Sequence, residues 1–225
     1  MSTHRPAVSE HLTEQEHLTE QLVKSGRVTT LSRAVLKRDR FLPVDQRIGG
    51  ALRAAGLPAG LVRGATYGVS GASPVSFAAF LVVEASRAGG WVAWCAPAAP
   101  NVRALHDAGW GLDRLVCIDP ANRWIDCADA CIGGFEILVV ALPTHLPARD
   151  VRRLSSVAAR SNGIVVAIGN PLHRALSADV EFRVEHSEWS AVGAGHLQTH
   201  DMHVNLAGRR VIESRRFTVT LGSSS

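Results

Sequence analysis

The sequence predicts an α/β fold, a mainly parallel sheet flanked by helices, with a C-terminal antiparallel β-meander and an N-terminal helical extension. Three observations predict it. Between residues 61 and 168, short apolar runs alternate with helical segments at regular intervals. Two of the runs, ILVVAL and GIVVAIG, are continuous Val/Ile/Leu stretches, the pattern of strands buried on both faces of a parallel sheet. After Pro171 the pattern switches to apolar/polar alternation in three segments separated by glycine-containing breaks, which reads as hairpin-connected strands.

The chain of 225 residues suits one domain with a small appendage, divided here into a helical extension over 1–40 and a core domain over 41–225. An apolar fraction of 46% with 20% charged residues indicates a soluble globular protein, and no apolar run approaches the ~20 residues of a membrane span. The polar, acidic N-terminus carries no secretory signal, so the expected location is the cytoplasm. Four cysteines, Cys95, Cys117, Cys127 and Cys131, lie in or beside apolar segments and are expected as reduced, buried thiols. Cys127 and Cys131, four apart on an expected helix, have no further ligands at metal-site spacing near them. The net charge of +4 is carried almost wholly by arginine, since Lys24 and Lys37 are the only lysines. Together with abundant Ala, Gly and Val, this usage fits a GC-rich genome, and it permits nucleic-acid contact without establishing it.

Residues 1–25 contain a short repeat, HLTEQ-EHLTEQ, expected as a helix with a sparse apolar stripe of Leu12, Leu18, Leu22 and Val23. So few anchors leave a helix weak on its own, and it either packs on the body of the protein or meets a partner. Ser25-Gly26 ends it, and a second helix follows over about Leu31–Asp39. Lys37, Arg38 and Arg40 cluster at that helix's end, where cations complement the negative terminus; a phosphate-contacting patch is the alternative. A short helix over Ile48–Ala55 and the turn GLPAG lead into the first strand, expected over Leu61–Tyr67. Further strands are expected at Trp91–Cys95, Arg114–Ile118, Glu136–Ala141 and Gly163–Ile168, with helices near 100–108, 121–131 and 148–160 between them. The meander is expected over Val180–Val192, His196–Leu206 and Arg210–Leu221.

The stretch LVRGATYGVSGASPVSFAAF, residues 61–80, has the layout of a phosphate-binding loop: strand, a Gly/Ser turn over Gly68-Val69-Ser70-Gly71, then a helix from Ala72. A working loop reads G-x-x-x-x-G-K-[ST], in which backbone amides cradle phosphates, the Lys neutralises them and the hydroxyl holds Mg²⁺. Gly71 and Ser73 fit the second glycine and the hydroxyl, but Ala72 stands where the Lys belongs. Arg63 is the nearest cation; it precedes the loop, and a planar guanidinium does not replace a compact ammonium. A plain glycine-containing connection in an α/β protein has the same appearance.

The segments LPAGLVRGATYGVSGAS, AGGWVAW, AGWGLDRLVCID and GGFEILVVALP, in this order and spacing, resemble the RecA-like core domain. More narrowly, residues 41–221 resemble the actinobacterial ImuA-type (ImuA-prime) RecA-like proteins, accessory factors of a damage-induced mutagenic polymerase complex. That resemblance implies an ImuB-type Y-family polymerase homologue as partner and, through it, an error-prone replicative-type DNA polymerase and the sliding clamp, with RecA as a further partner. It implies a cytoplasmic protein that joins the nucleoid on DNA damage, and it makes Leu12, Leu18 and Leu22 candidate partner contacts. Measured against an active RecA-like ATPase, three groups are missing. The loop Lys is Ala72, the Mg²⁺-organising Asp expected after the apolar strand is Ala141, and the acidic residue expected after WVAW gives way to Cys95-Ala96-Pro97. The expected protein is therefore catalytically silent, binds no ATP or Mg²⁺ as cofactor, and keeps Gly68, Ser70, Gly71, Ala72 and Ser73 as a degenerate nucleotide loop. The alternatives are an ATP-dependent RecA-like DNA-binding ATPase and a regulator of RecA filaments.

Two clusters remain. Arg149, Arg152 and Arg153 are candidate nucleic-acid contacts, although no interleaved aromatics accompany them and the segment reads equally as the start of a helix. His196, His200 and His203 are close in sequence, with His196 and His200 spaced to share a strand face. Exposed edge-strand histidines and a metal site are the two readings, and no metal ligand is assigned. No catalytic residue follows from linear order.

Overall fold

The apolar runs pair into one eight-stranded sheet. The computed structural model describes residues 40–121, 123–143, 147–169, 178–191 and 197–222. The expected N-terminal helices, with Leu12, Leu18 and Leu22, lie outside these residues, as does His196. A two-stranded antiparallel ribbon, β1 (Phe41–Leu42) with β2 (Leu61–Val62), brackets helix α1 (Gln46–Ala54). The main sheet comprises β3 (Thr66–Gly71), β4 (Val92–Cys95), β5 (Leu115–Ile118), β6 (Ile137–Ala141), β7 (Ile164–Ile168), β8 (Val180–Ala191), β9 (Leu197–Ala207) and β10 (Arg215–Gly222). Its spatial order is β10-β9-β8-β3-β7-β6-β4-β5. The strands from β3 to β8 pair in parallel, and β8, β9 and β10 pair antiparallel.

Helices α2 (Pro74–Arg87), α3 (Val102–Asp107), α4 (Trp124–Gly134) and α5 (Ala148–Ser161) are the crossovers. Local chemistry sets their ends. The Asp45 carboxylate accepts the Arg47 amide at 2.8 Å to cap α1, and the Asn101 side chain accepts the Ala104 amide at 3.1 Å to cap α3. Pro74, with no N–H to leave unpaired, opens α2, and Asn162 closes α5 in the left-handed conformation (φ 54°).

The two continuous apolar runs are buried on both faces, as their composition demands. Ile137, Val139, Ile164, Val166 and Ile168 join the cluster that contains the buried residues of α1 and α2. The residues between them, Leu138, Val140, Val165 and Ala167, join Val151, Leu154 and Ala158 of α5 and Ala128, Cys131 and Ile132 of α4. Each of the valine, leucine and isoleucine side chains among these contributes ~1.5–3 kcal/mol on burial. At the other end of the sheet, the buried Asp179 carboxylate accepts the Thr66 amide at 3.0 Å and pairs with Arg209 and Arg210. It thereby ties the starts of β3 and β8 to the turn before β10.

Three expectations change. The strand expected over Leu61–Tyr67 is two strands, and Gly68-Val69-Ser70-Gly71, expected as a turn, is the body of β3. Pairing on both sides, to β7 and β8, outweighs the poor strand propensity of glycine. The first meander strand, β8, is antiparallel only to β9; toward β3 it is parallel, and it welds the meander to the body of the sheet. Among the thiols expected to be buried, Cys95 and Cys131 are, Cys127 is half-buried and Cys117 is exposed, because β5 is the last strand of the sheet.

Gly71 has φ 95°, and a Cβ there would sit 2.1 Å from the Val184 carbonyl oxygen. Gly71→Ala is therefore expected to destabilise the fold by about 2–3 kcal/mol, read from the urea midpoint.

Candidate functional site

The strand-to-helix junction after β3 is where the sequence placed the degenerate nucleotide loop. The sheet ladder reaches Gly71, which registers with Val184, and α2 begins at Pro74. Only Ala72 and Ser73 remain between strand and helix. The Ala72 amide does not point at an open cradle; it donates to the Val184 carbonyl at 2.9 Å and extends the β3–β8 ladder by one bond. Pro74 has no amide to offer, and the Phe77 amide closes the first helical turn on the Ser73 carbonyl at 3.2 Å. A loop that wraps phosphate needs several amides converging on one point. Here the ladder has absorbed the one between Gly71 and Ser73.

Ser73 is a non-glycine residue in the left-handed region (φ 48°, ψ 46°) at the N-cap of α2, yet its hydroxyl caps nothing. It hydrogen-bonds the Ser187 hydroxyl at 2.8 Å, and Ser187 hydrogen-bonds Nε2 of His200 at 2.6 Å. His200 is wholly buried, and the half-exposed Trp189 stacks on it with ring centroids 4.0 Å apart and planes 12° from parallel. Burial depresses the His200 pKa, opposed by the charge of Asp201. A neutral His200 accepting at Nε2 orders the chain in one direction, Ser73 O–H to Ser187 and Ser187 O–H to the ring, with the ring proton on Nδ1. That nitrogen is buried without a hydrogen-bond partner among the described residues. The Ser73 hydroxyl, the one expected at the magnesium position of the motif, is thus tied into a side-chain chain from β8 and β9.

The remaining motif positions lie along the same end of the sheet. Ala141 is the last residue of β6, in register with Ile168. With β7 between β6 and β3, it stands two strand spacings, about 10 Å, from the Gly71 strand. β4 ends at the buried Cys95, and the Ala96 amide that follows donates to Ile118 of β5. Ala72, Ala141 and Cys95, the residues expected in place of cation, metal anchor and base, therefore lie at the same end of the sheet. Arg63 pairs with Glu136 at 2.6 Å, before β3 and β6 at the opposite end of the strands.

The three arginines of α5 divide. Arg153 pairs with Asp129 of α4 and staples the two helices, while Arg149 reaches Asp150 at 3.6 Å. Arg152 is exposed, with no ion-pair partner among the described residues. His200 and His203 do not share a face: His203 lies on the open face of the meander, where Nδ1 meets the Thr218 hydroxyl at 3.1 Å and the ring lies 5.9 Å from that of His186. Among the described residues, no group of His, Cys, Asp or Glu is arranged to hold a metal ion. Sequence reasoning missed Ser187 and Trp189. They share the face of Val184 because of a register shift between Val184 and His186, and alternation alone places them on the opposite one.

Raising the pH protects this assembly. A buried neutral histidine with a lowered pKa leaves the unfolded chain the better proton acceptor, so its contribution is complete above about pH 6.5 and declines as the pH falls below it. Urea unfolding at pH 7.5 and 5.5 is expected to show a larger loss of stability on acidification in the wild type than in His200→Gln.

The fold matches 194 solved protein chains. One is the crystal structure of the RadB recombinase, with a TM-score of 0.56 at 13% sequence identity, over 77% of this chain and 92% of that one. At that identity the likeness shows the fold alone, which is the RecA-like α/β fold. No curated protein sequence matches the chain. The family described as the MT3502 N-terminal domain matches residues 55–174, from the end of α1 through the strand-to-helix junction to beyond β7, and the chain belongs to that family.

Proposed function

We propose that this protein is a non-catalytic RecA-like accessory protein of a damage-induced mutasome, which supports translesion synthesis and induced mutagenesis through protein contacts. The observation that carries the non-catalytic part is the spent junction: the Ala72 amide is bonded to Val184, Ser73 to Ser187, and alanine stands in the lysine position. Phosphoryl transfer needs charge stabilisation where charge develops. Ala72, Ala141 and Cys95 supply none. The mutasome assignment rests on the resemblance of residues 41–221 to ImuA-type proteins. Its partners are an ImuB-type Y-family polymerase homologue and, through it, an error-prone replicative-type polymerase and the sliding clamp, with RecA as a further contact. The exposed Arg149 and Arg152 are the nucleic-acid contacts compatible with this reading. Among the described residues, no helix is long and apolar enough to cross a membrane.

The likeness to RadB favours a second reading, an ATP-dependent recombinase-type protein whose missing cation arrives from a neighbouring molecule. Thermal unfolding with ATP and Mg²⁺ separates the two. Nucleotide at about 100 times its dissociation constant adds ~2.7 kcal/mol, or about 5–10 °C for a chain of this size. The accessory reading expects no shift, and a shift of that size together with ATP turnover overturns it. Co-purification with the polymerase homologue, repeated after deletion of residues 1–40, tests the partner assignment. Loss of the complex only in the truncated chain assigns the interface to the extension and Leu12, Leu18 and Leu22. Failure of the full-length chain to co-purify overturns the mutasome reading.

A further inference from the structure

The two edges of the sheet differ in kind. β10 carries Arg215 and Arg216, and the Arg47 guanidinium donates to the Thr220 carbonyl, so charge and a capped backbone group blunt that edge. β5 ends the other side with Leu115-Val116-Cys117-Ile118, which has no charge, no proline and the composition of an interior parallel strand. Leu115, Val116 and Ile118 are only half-buried and Cys117 is exposed. An interior-type strand at an open edge is a template for another strand.

Its backbone specifies how. The Ile118 carbonyl accepts the Ala96 amide at 3.1 Å, which turns Ile118, and by alternation Val116, toward β4. Leu115 and Cys117 therefore turn outward. The Leu115 amide closes the preceding 3-10 turn on Leu112, which leaves the Leu115 carbonyl and both Cys117 groups directed at the edge.

We propose that β5 is a self-complementary docking edge, on which a second copy of this chain lays its own β5 antiparallel, in a register centred on Cys117. Antiparallel pairing sets outward residues against outward residues. This register puts the two Cys117 residues opposite each other, exchanging both N–H···O=C bonds, and lets each Leu115 carbonyl accept the Asp119 amide of the second copy. The reciprocal bond of that pair, Leu115 amide to Asp119 carbonyl, is not made, because the Leu115 amide is already used. Val116 then lies opposite Ile118 twice, an apolar β-branched pair of the kind that stabilises neighbouring strands. Half-buried Trp124 and Ile125, packed on the same cluster as Ile118, widen the apolar contact. The register centred on Val116 instead sets Asp113 against Asp119, a like-charge pair, and Arg114 against Ile118. The second copy is the occupant because the strand's apolar pattern and its backbone groups, unpaired on the outer side among the described residues, complement themselves. A four-residue ladder is small, so the association is weak, in the micromolar range or above. It stands independently of the accessory function proposed above.

Sedimentation velocity of the full chain under reducing conditions is expected to show a reversible, concentration-dependent dimer. Cys117→Glu and Cys117→Lys each place like charges at the twofold axis and are expected to weaken it about tenfold or more, at an unchanged melting temperature because the side chain is exposed. Mixing the two variants restores the dimer. Diamide, which takes two hydrogens from a pair of thiols as they become a disulfide, is expected to give a species of twice 24.0 kDa on a non-reducing gel. That species disappears in Cys117→Ser and persists in Cys127→Ser. A monomer at every concentration overturns the proposal, leaving the edge to a strand from another protein. A dimer indifferent to both charged variants overturns it equally, because the contact then lies elsewhere.

Discussion

The carbonyl of Val184 governs the end of the sheet where RecA-like folds do their chemistry. It accepts the Ala72 amide at 2.9 Å and lies so close to Gly71 that only a hydrogen fits between them. That bond carries the β3–β8 pairing into the two residues that otherwise form a loop, and it fixes the point at which α2 leaves the sheet. The hydroxyl bond from Ser73 to Ser187, the burial of His200 and the stacking of Trp189 all occur on segments whose positions follow from it. Up to Ala72 the junction is sheet, and its amide there is used in the ladder rather than left for a ligand.

The geometry and the composition of the junction agree. Replacing Ala72 by lysine alone places a charge at a residue whose own amide is already hydrogen-bonded to Val184. Conversely, opening the ladder without a cation leaves a polar gap with nothing to hold an anion. The residue types and the hydrogen bonding of the junction thus point the same way, toward the non-catalytic reading proposed above. On that reading function falls to the surfaces, and the outer backbone of β5 is the one proposed above as a docking edge.

Much of this architecture is legible in the amino-acid sequence, for a physical reason. ILVVA and IVVAI are buried on both faces, so composition alone identifies them, and the long alternating segments after Pro171 have one wet face and declare their period. The junction differs from its expected form because glycine and serine signal a turn when only neighbours in sequence are considered. Pairing partners at Ala167, Ile168, Glu181 and Val184, more than 90 residues away, make the same stretch a strand. The His200 assembly was hidden for a related reason. A register shift after Val184 moves Ser187 and Trp189 to the inner face, and a one-residue slip of that kind leaves no mark on composition. The exposure of Cys117 depends on strand order, which no local pattern encodes.

The helices α4 and α5 cover β4, β6 and β7 but do not extend across the meander, whose outer face carries Glu181, Arg183, Asn205, Arg216, Thr218 and Thr220 in contact with solvent. One molecule thus contains two regimes of evolutionary constraint. In β4, β6 and β7 nearly every position is buried and constrained by packing, whereas alternate positions of the last three strands answer only to water and to their cross-strand neighbours. Lineages of this family should diverge fastest there, so that the meander records recent history while the parallel strands preserve the ancestral imprint.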